Sequence, residues 1–278
     1  MPLILMYITN NVKVASIADR YGVDRIWVDL EILGKEKRQQ NLNTVKSNHT
    51  VEDITAIRNV IDKAELLVRI NPLYEKTKRE VEEVIARGAD VIMLPMFYTA
   101  QEAKEFVSYV SGRAKTMLLV ETIEAEKNLE EIAKVEGIDE IHIGLNDLHL
   151  AYHKRFMFQL LAEGNVDRMC QIIKRAGLPY GFGGIAKLDG GTLSARHIIS
   201  EHYRLASSRA ILSRSFYDSS RDDEEAVVEQ IFQQGISEIR EFEKRLKNET
   251  EQYFEQNRLR VQKEVAAIVK ALEEKKND

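Results

Sequence analysis

The sequence predicts an α/β chain folded as a (β/α)8 TIM barrel with a C-terminal helical extension, and three observations carry that expectation. Apolar runs of strand length recur eight times, at 3–9, 26–31, 66–70, 91–96, 117–121, 140–144, 179–185 and 210–215. Amphipathic stretches separate them, as at 12–21, 51–64, 75–87, 100–110 and 123–135, and several close on glycine at Gly22, Gly88 and Gly112. No glycine-rich turn follows the first run, which argues against a doubly wound open sheet. Thr50 with Asp53 marks a capped start for the second helix.

The composition is that of a soluble globular chain with a sizeable core. Of 278 residues, 44% are hydrophobic and 31% charged, enough for one large barrel or two modest domains. A formal charge of -5 offers no global attraction to nucleic acid or anionic lipid, so neither nucleic acid nor membrane is an expected partner. The single cysteine, Cys170, can form neither an intrachain disulfide nor a thiolate metal cluster and suits a reducing cytosol. The opening 1–10 is apolar but short, without a basic region or a small-residue cleavage site. It reads as a first strand, no run approaches transmembrane length, and the expected location is cytoplasmic.

Past residue 222 the chain becomes rich in Glu, Lys, Gln and Arg. Ile236, Ile239, Phe242 and Leu246 recur at helical spacing and supply the eighth barrel helix, so the catalytic barrel is expected over 1–246. Leu259, Val261, Val265, Ile268 and Leu272 form a second apolar series in an extension over 247–278. That stripe needs a cover, either the same barrel or a partner subunit, and a homo-oligomer is the expectation.

The stretch 117–149 organises the candidate chemistry. Two strand-length runs joined by a helical segment place Glu121 and Asp147 near their ends, so in a parallel sheet both carboxylates sit at one edge. An oxygen-rich pair of this kind suits a hard divalent cation, Mg²⁺ first and Mn²⁺ second, with positions left for substrate and water. Either residue alone also reads as a helix N-terminal acid. Asp29 and Glu31 lie two apart and therefore face one side of their strand. Arg69 interrupts another apolar run, either as their counter-ion or as a fork for a substrate carboxylate. The long polar connection 32–49, with its charged segment 34–40, is where a barrel places substrate contacts or simply a solvated loop. Gly183 and Gly184 let backbone amides approach an anion at the seventh strand, or serve a tight turn.

At these residues the sequence resembles the HpcH/HpaI aldolase and citrate lyase β-subunit family. The resemblance runs through Val-Asp-Leu-Glu at 28–31, Val-Arg-Ile-Asn-Pro at 68–72, Gly-Ala-Asp-Val-Ile-Met-Leu-Pro at 88–95, Val-Glu-Thr-Ile-Glu-Ala at 120–125, and the segment 137–148 ending in Asn-Asp-Leu. It implies a metal-dependent barrel in which Glu121 and Asp147 bind the ion and Arg69 holds the substrate. Two departures stand out. Ile32 occupies the position where the aldolase branch has a catalytic histidine, and His149 stands where the family has serine. His149 is thus a candidate replacement base, or a satisfied hydrogen-bonding residue.

The expected function is a metal-dependent carbon–carbon lyase acting on a 2-oxo acid or a related acyl thioester through a metal-stabilised enolate. Arg69, Glu31 and His149 are its catalytic candidates, and Arg69, Asp29, Gly183 and Gly184 its substrate contacts. The alternatives are a phosphosugar-processing barrel using the glycine-rich edge and a non-catalytic barrel that binds a metabolite or partner.

Overall fold

The computed structural model describes residues 2–34, 48–221 and 223–277. Eight parallel strands close into a barrel in sequence order, the last pairing with the first. They are β1 (Ile4–Ile8), β2 (Arg25–Asp29), β3 (Glu65–Arg69), β4 (Val91–Leu94), β5 (Lys115–Val120), β6 (Glu140–Ile143), β7 (Tyr180–Ile185) and β8 (Arg209–Leu212). The outer ring holds α1 (Val12–Arg20), α2 (Val51–Arg58), α3 (Thr77–Ala86), α4 (Ala100–Val110), α5 (Ile123–Lys127), α6 (Leu129–Ile132), α7 (Leu145–Ala151), α8 (Gln159–Ala162), α9 (Asn165–Arg175), α10 (Ala195–Arg204) and α11 (Glu225–Leu246). A last helix, α12 (Glu251–Asn277), follows. Most of the polar segment 34–40 falls in 35–47, outside the described residues.

Local chemistry sets the helix ends. Asn11 Oδ1 accepts the amides of Lys13 and Val14 to start α1, and a Thr50–Asp53 capping box starts α2 as the sequence predicts. The expected helix at 51–64 stops at Arg58 because Asp19 captures the chain beyond it. The Asp19 carboxylate accepts amides from Asp62, Lys63 and Ala64 at 3.0, 3.0 and 2.6 Å.

Side chains alternate along each strand, one set facing the helices and the other filling the barrel. The outward set joins the helix faces in one large apolar core that includes Ile26, Val28, Leu66, Val68, Ile141 and Phe182. The inward set is layered. At the amino end Arg25 forks onto Glu140 at 2.6 and 2.7 Å and bonds Glu65 at 2.8 Å, while Arg209 reaches Glu140 and Lys115 reaches Glu65, each at 2.5 Å. This ion network plugs the base of the barrel. Two residues further along the strands comes an apolar layer of Met6, Trp27, Leu67, Met93 and Met117. His142 of β6 belongs to this layer as well, and charged side chains return above it, at the carboxyl rim.

Helix α12 packs on α10 and α8 of its own barrel. Val261 and Val265 of the second apolar series are buried there, whereas Leu259 and Leu272 stay exposed. Among the described residues no helix is long and apolar enough to cross a membrane.

Candidate active site

The carboxyl rim encloses a cavity of about 420 Å³, a size that suits a small metabolite. Asp29, Glu31, Arg69, Glu121, Asp147, Gly183 and Gly184 all line it, so seven of the residues singled out in the sequence converge on one space.

Asp29 ends β2, and Glu31 follows two residues later; they are 1% and 2% exposed. Carboxylates this dry require a cation. Arg69, at the end of the neighbouring β3, supplies it: Nε and Nη2 each meet one Asp29 oxygen at 2.8 Å, and Nη2 lies 3.3 Å from Glu31 Oε2. The guanidinium also lies over the Trp27 ring, 5.2 Å from its centroid. Burial opposes the charge on Arg69, but Asp29 and Glu31 outweigh it and raise the pKa above its already high ordinary value. The fork predicted for a substrate carboxylate is therefore engaged by Asp29. Nη1 makes no hydrogen bond among the described residues and is the nitrogen left for a ligand.

Glu121 follows β5 directly and is 3% exposed. Its Oε1 accepts the Met96 amide at 3.2 Å, and Met96 takes a left-handed φ of 47°. Thr122 pins the following turn by donating to the Phe97 carbonyl at 2.8 Å and capping α5 through the Ala125 amide. Gly144 packs against this carboxylate so closely that an added Cβ would lie 2.8 Å from Glu121 Cβ. Asp147 sits in the first turn of α7, and its carboxylate makes no hydrogen bond or ion pair among the described residues. Glu121 and Asp147 also share the wall of a second, adjoining cavity, together with Met96 and Leu150.

His149 does not reach the cavity lining; its Nδ1 lies 3.1 Å from the Leu145 carbonyl of its own helix, and burial lowers its pKa. The histidine at the rim is instead His49, whose Nδ1 accepts the Asp29 amide at 2.9 Å. In a neutral ring that bond leaves the proton on Nε2. Arg214, Ser219, Trp27 and His142 also line the cavity and were not among the predicted site residues. Glu140, His142 and Gly144 follow the same period-two inward set as Arg25, Trp27 and Asp29, and that alternation was the signal for His142.

The donor set fits a hard cation only in part. Among the described residues no group of three or more His, Cys, Asp or Glu side chains is assembled to hold an ion. Two carboxylates, one of them without a partner among the described residues, form an open half-site whose other positions would go to water and ligand oxygens.

A closed parallel barrel with its buried carboxylates and arginine gathered at the carboxyl face defines a TIM-barrel enzyme of small-molecule chemistry. The family model for HpcH/HpaI aldolase/citrate lyase matches residues 3–155, and the chain belongs to that family of carbon–carbon lyases. No curated protein sequence matches it. Among solved structures, it resembles an HpcH/HpaI aldolase from Desulfitobacterium hafniense DCB-2 at 16% identity, covering 86% of this chain and 93% of that one with a TM-score of 0.60. An HpcH/HpaI aldolase/citrate lyase family protein from Burkholderia cenocepacia J2315 matches at 18% identity, with 76% and 87% covered and a TM-score of 0.58. The citrate synthase SbnG matches at 13% identity, with 76% and 86% covered and a TM-score of 0.57. At these identities the likeness is one of fold.

Proposed function

We propose that the protein is a divalent-metal-dependent lyase that cleaves a 2-oxo acid or a related acyl thioester by retro-aldol or Claisen-type chemistry. The observation that carries this reading is that Glu121, just past β5, and Asp147, in the first turn of α7 after the adjacent β6, line the cavity that Arg69 also lines, with Asp147 lacking a partner among the described residues. Glu121 and Asp147 would hold Mg²⁺ or Mn²⁺, which when bound polarises a keto or acyl oxygen and stabilises the enolate left by bond cleavage. Arg69 contributes fixed positive charge at the cavity wall and directs Nη1 at a substrate oxygen, while Asp29 holds the guanidinium plane. Glu31, beside Arg69, is the carboxylate that moves the substrate hydroxyl proton. His49 presents an N–H donor at the rim, and His149, turned to its own helix, has no part in the reaction. The Gly183–Gly184 edge and Arg214 line the cavity beside the bound substrate.

Calorimetric titration of Mn²⁺ into the wild type, Glu121→Gln and Asp147→Asn tests the metal half of the proposal. Binding to the wild type that weakens at least tenfold in both variants is expected; equal isotherms from all three proteins would remove the assignment.

A further inference from the structure

The apolar layer beneath the cavity contains two polar groups with no partner among the described residues. His142 is fully buried, and neither ring nitrogen has a hydrogen bond; Trp27 is 1% exposed, and its Nε1 has none. Buried polar atoms are nearly always satisfied, so two orphans in one layer call for an occupant. They belong to the same layer because each stands two residues beyond a member of the basal ion network. Arg25 and Glu140 bond each other, and Trp27 and His142 follow them on β2 and β6. Those strands lie on opposite sides of the eight-stranded barrel. Both residues line the cavity floor.

The wall beside His142 is built of glycines: Gly144 lies two residues beyond it, just past β6 and packed against Glu121, and Gly181 on the adjoining β7 is so close that an added Cβ would lie 2.8 Å from His142 Nδ1. Gly184 continues that wall. Burial lowers the imidazole pKa to about 4, outweighing the opposing influence of the nearby Gly183 backbone, which lies outside normal hydrogen-bond geometry. The ring is therefore neutral, with one N–H and one lone pair, while the indole offers only a donor.

We infer that His142 and Trp27 form a specificity subsite for an uncharged hydroxyl group at the deep end of the substrate. A hydroxyl is the matching chemistry because it accepts from one ring N–H and donates to the imidazole lone pair. A carboxylate could not donate, and its charge would be costly among Leu67, Met117 and Ile211. The inference rests on the proposed reading only for the orientation of the substrate, with its oxo-acid end at the rim carboxylates. It assigns this chain to substrates whose departing aldehyde half carries a free hydroxyl.

The test is binding without turnover. With Mg²⁺ present, 2,5-dihydroxypentanoate and 2-hydroxypentanoate, which differ by one terminal hydroxyl placed one carbon beyond the reacting position, are titrated into the wild type, His142→Phe and His142→Gln. The wild type should prefer the dihydroxy acid by about tenfold, the worth of one buried hydrogen bond. His142→Phe should bind both acids equally, and His142→Gln, which keeps a donor and an acceptor, should recover part of the preference. In ¹⁵N-histidine-labelled wild type, only the dihydroxy acid should shift the imidazole resonances that His142→Phe removes. Absence of both preference and shift, including a failure of either acid to bind, overturns the subsite and leaves these nitrogens to buried water. A preference that survives in His142→Phe overturns it equally. Loss of lyase activity with the preference intact would instead refute the proposed reaction alone.

Discussion

Replacing Asp29 by Asn keeps the shape of the side chain and removes the charge that orients Arg69. Asp29 accepts from two guanidinium nitrogens at 2.8 Å, with the two side chains only 1% and 12% exposed. Removing one partner of a buried pair costs roughly 3–5 kcal/mol. Asn retains one acceptor, and Glu31 remains 3.3 Å from Nη2, so the lower end applies, about 3 kcal/mol. For a chain of this length that corresponds to a fall in Tm of about 5 °C. Scanning calorimetry reads the stability, and steady-state kinetics on the same preparation should show KM rising as the guanidinium leaves its fixed plane. An unchanged Tm together with unchanged kinetics would mean that Asp29 does not hold Arg69, and the account of the site would have to be rebuilt.

Gly144→Ala would place a methyl group 3.0 Å from Glu121 Oε2 and 2.8 Å from its Cβ, so Mn²⁺ affinity should fall about tenfold, a shift of about 1.4 kcal/mol, and Tm should fall with it; calorimetry that finds wild-type affinity refutes the packing argument. Burial alone would raise the Glu140 carboxyl, but Arg25 and Arg209 outweigh it and hold its pKa at about 2. A depressed native pKa stabilises above the unfolded value of 4.5 and the benefit is lost as pH falls toward 2, so Glu140→Gln should erase about 3 kcal/mol of the wild-type stability loss over that window, read by urea melts at each pH. Deleting residues after Asn248 removes Asn257, the partner of Glu201 at 2.9 Å and of His197 at 2.8 Å, and should lower Tm; an unchanged melt would make α12 dispensable to the barrel. The exposed Leu259 and Leu272 carry the proposal that the full chain self-associates, and a monomer mass by light scattering would remove it.

The eight strands were legible because a parallel sheet buried on both faces writes its strands as apolar runs. Their ends were not: Glu31 and Glu121 lie just past β2 and β5, because pairing with neighbours rather than composition decides where a ladder stops. Asp29, Glu31 and Arg69 were legible as charges interrupting apolar runs, yet the sequence could not say that the Arg69 fork would be occupied by Asp29. His149 drew attention through its nearness to Asp147 in sequence, but the turn of α7 aims it away from the cavity. His49 was not legible as a site residue, because its place at the rim depends on a long connection whose path no local pattern encodes. His142 sat inside a run read as strand core, and only inward alternation from Glu140 distinguishes it from its outward neighbours.

Exchange of the methyl protons of pyruvate in D₂O, followed by proton NMR, tests the central claim most directly, because it reports enolate formation without requiring the natural electrophile. The account predicts exchange that needs Mg²⁺ or Mn²⁺, stops on chelation, and is lost in Glu121→Gln and Asp147→Asn. Exchange that persists unchanged in the chelated enzyme or in both variants would contradict it, as would a metal-loaded wild type that leaves the methyl signal intact.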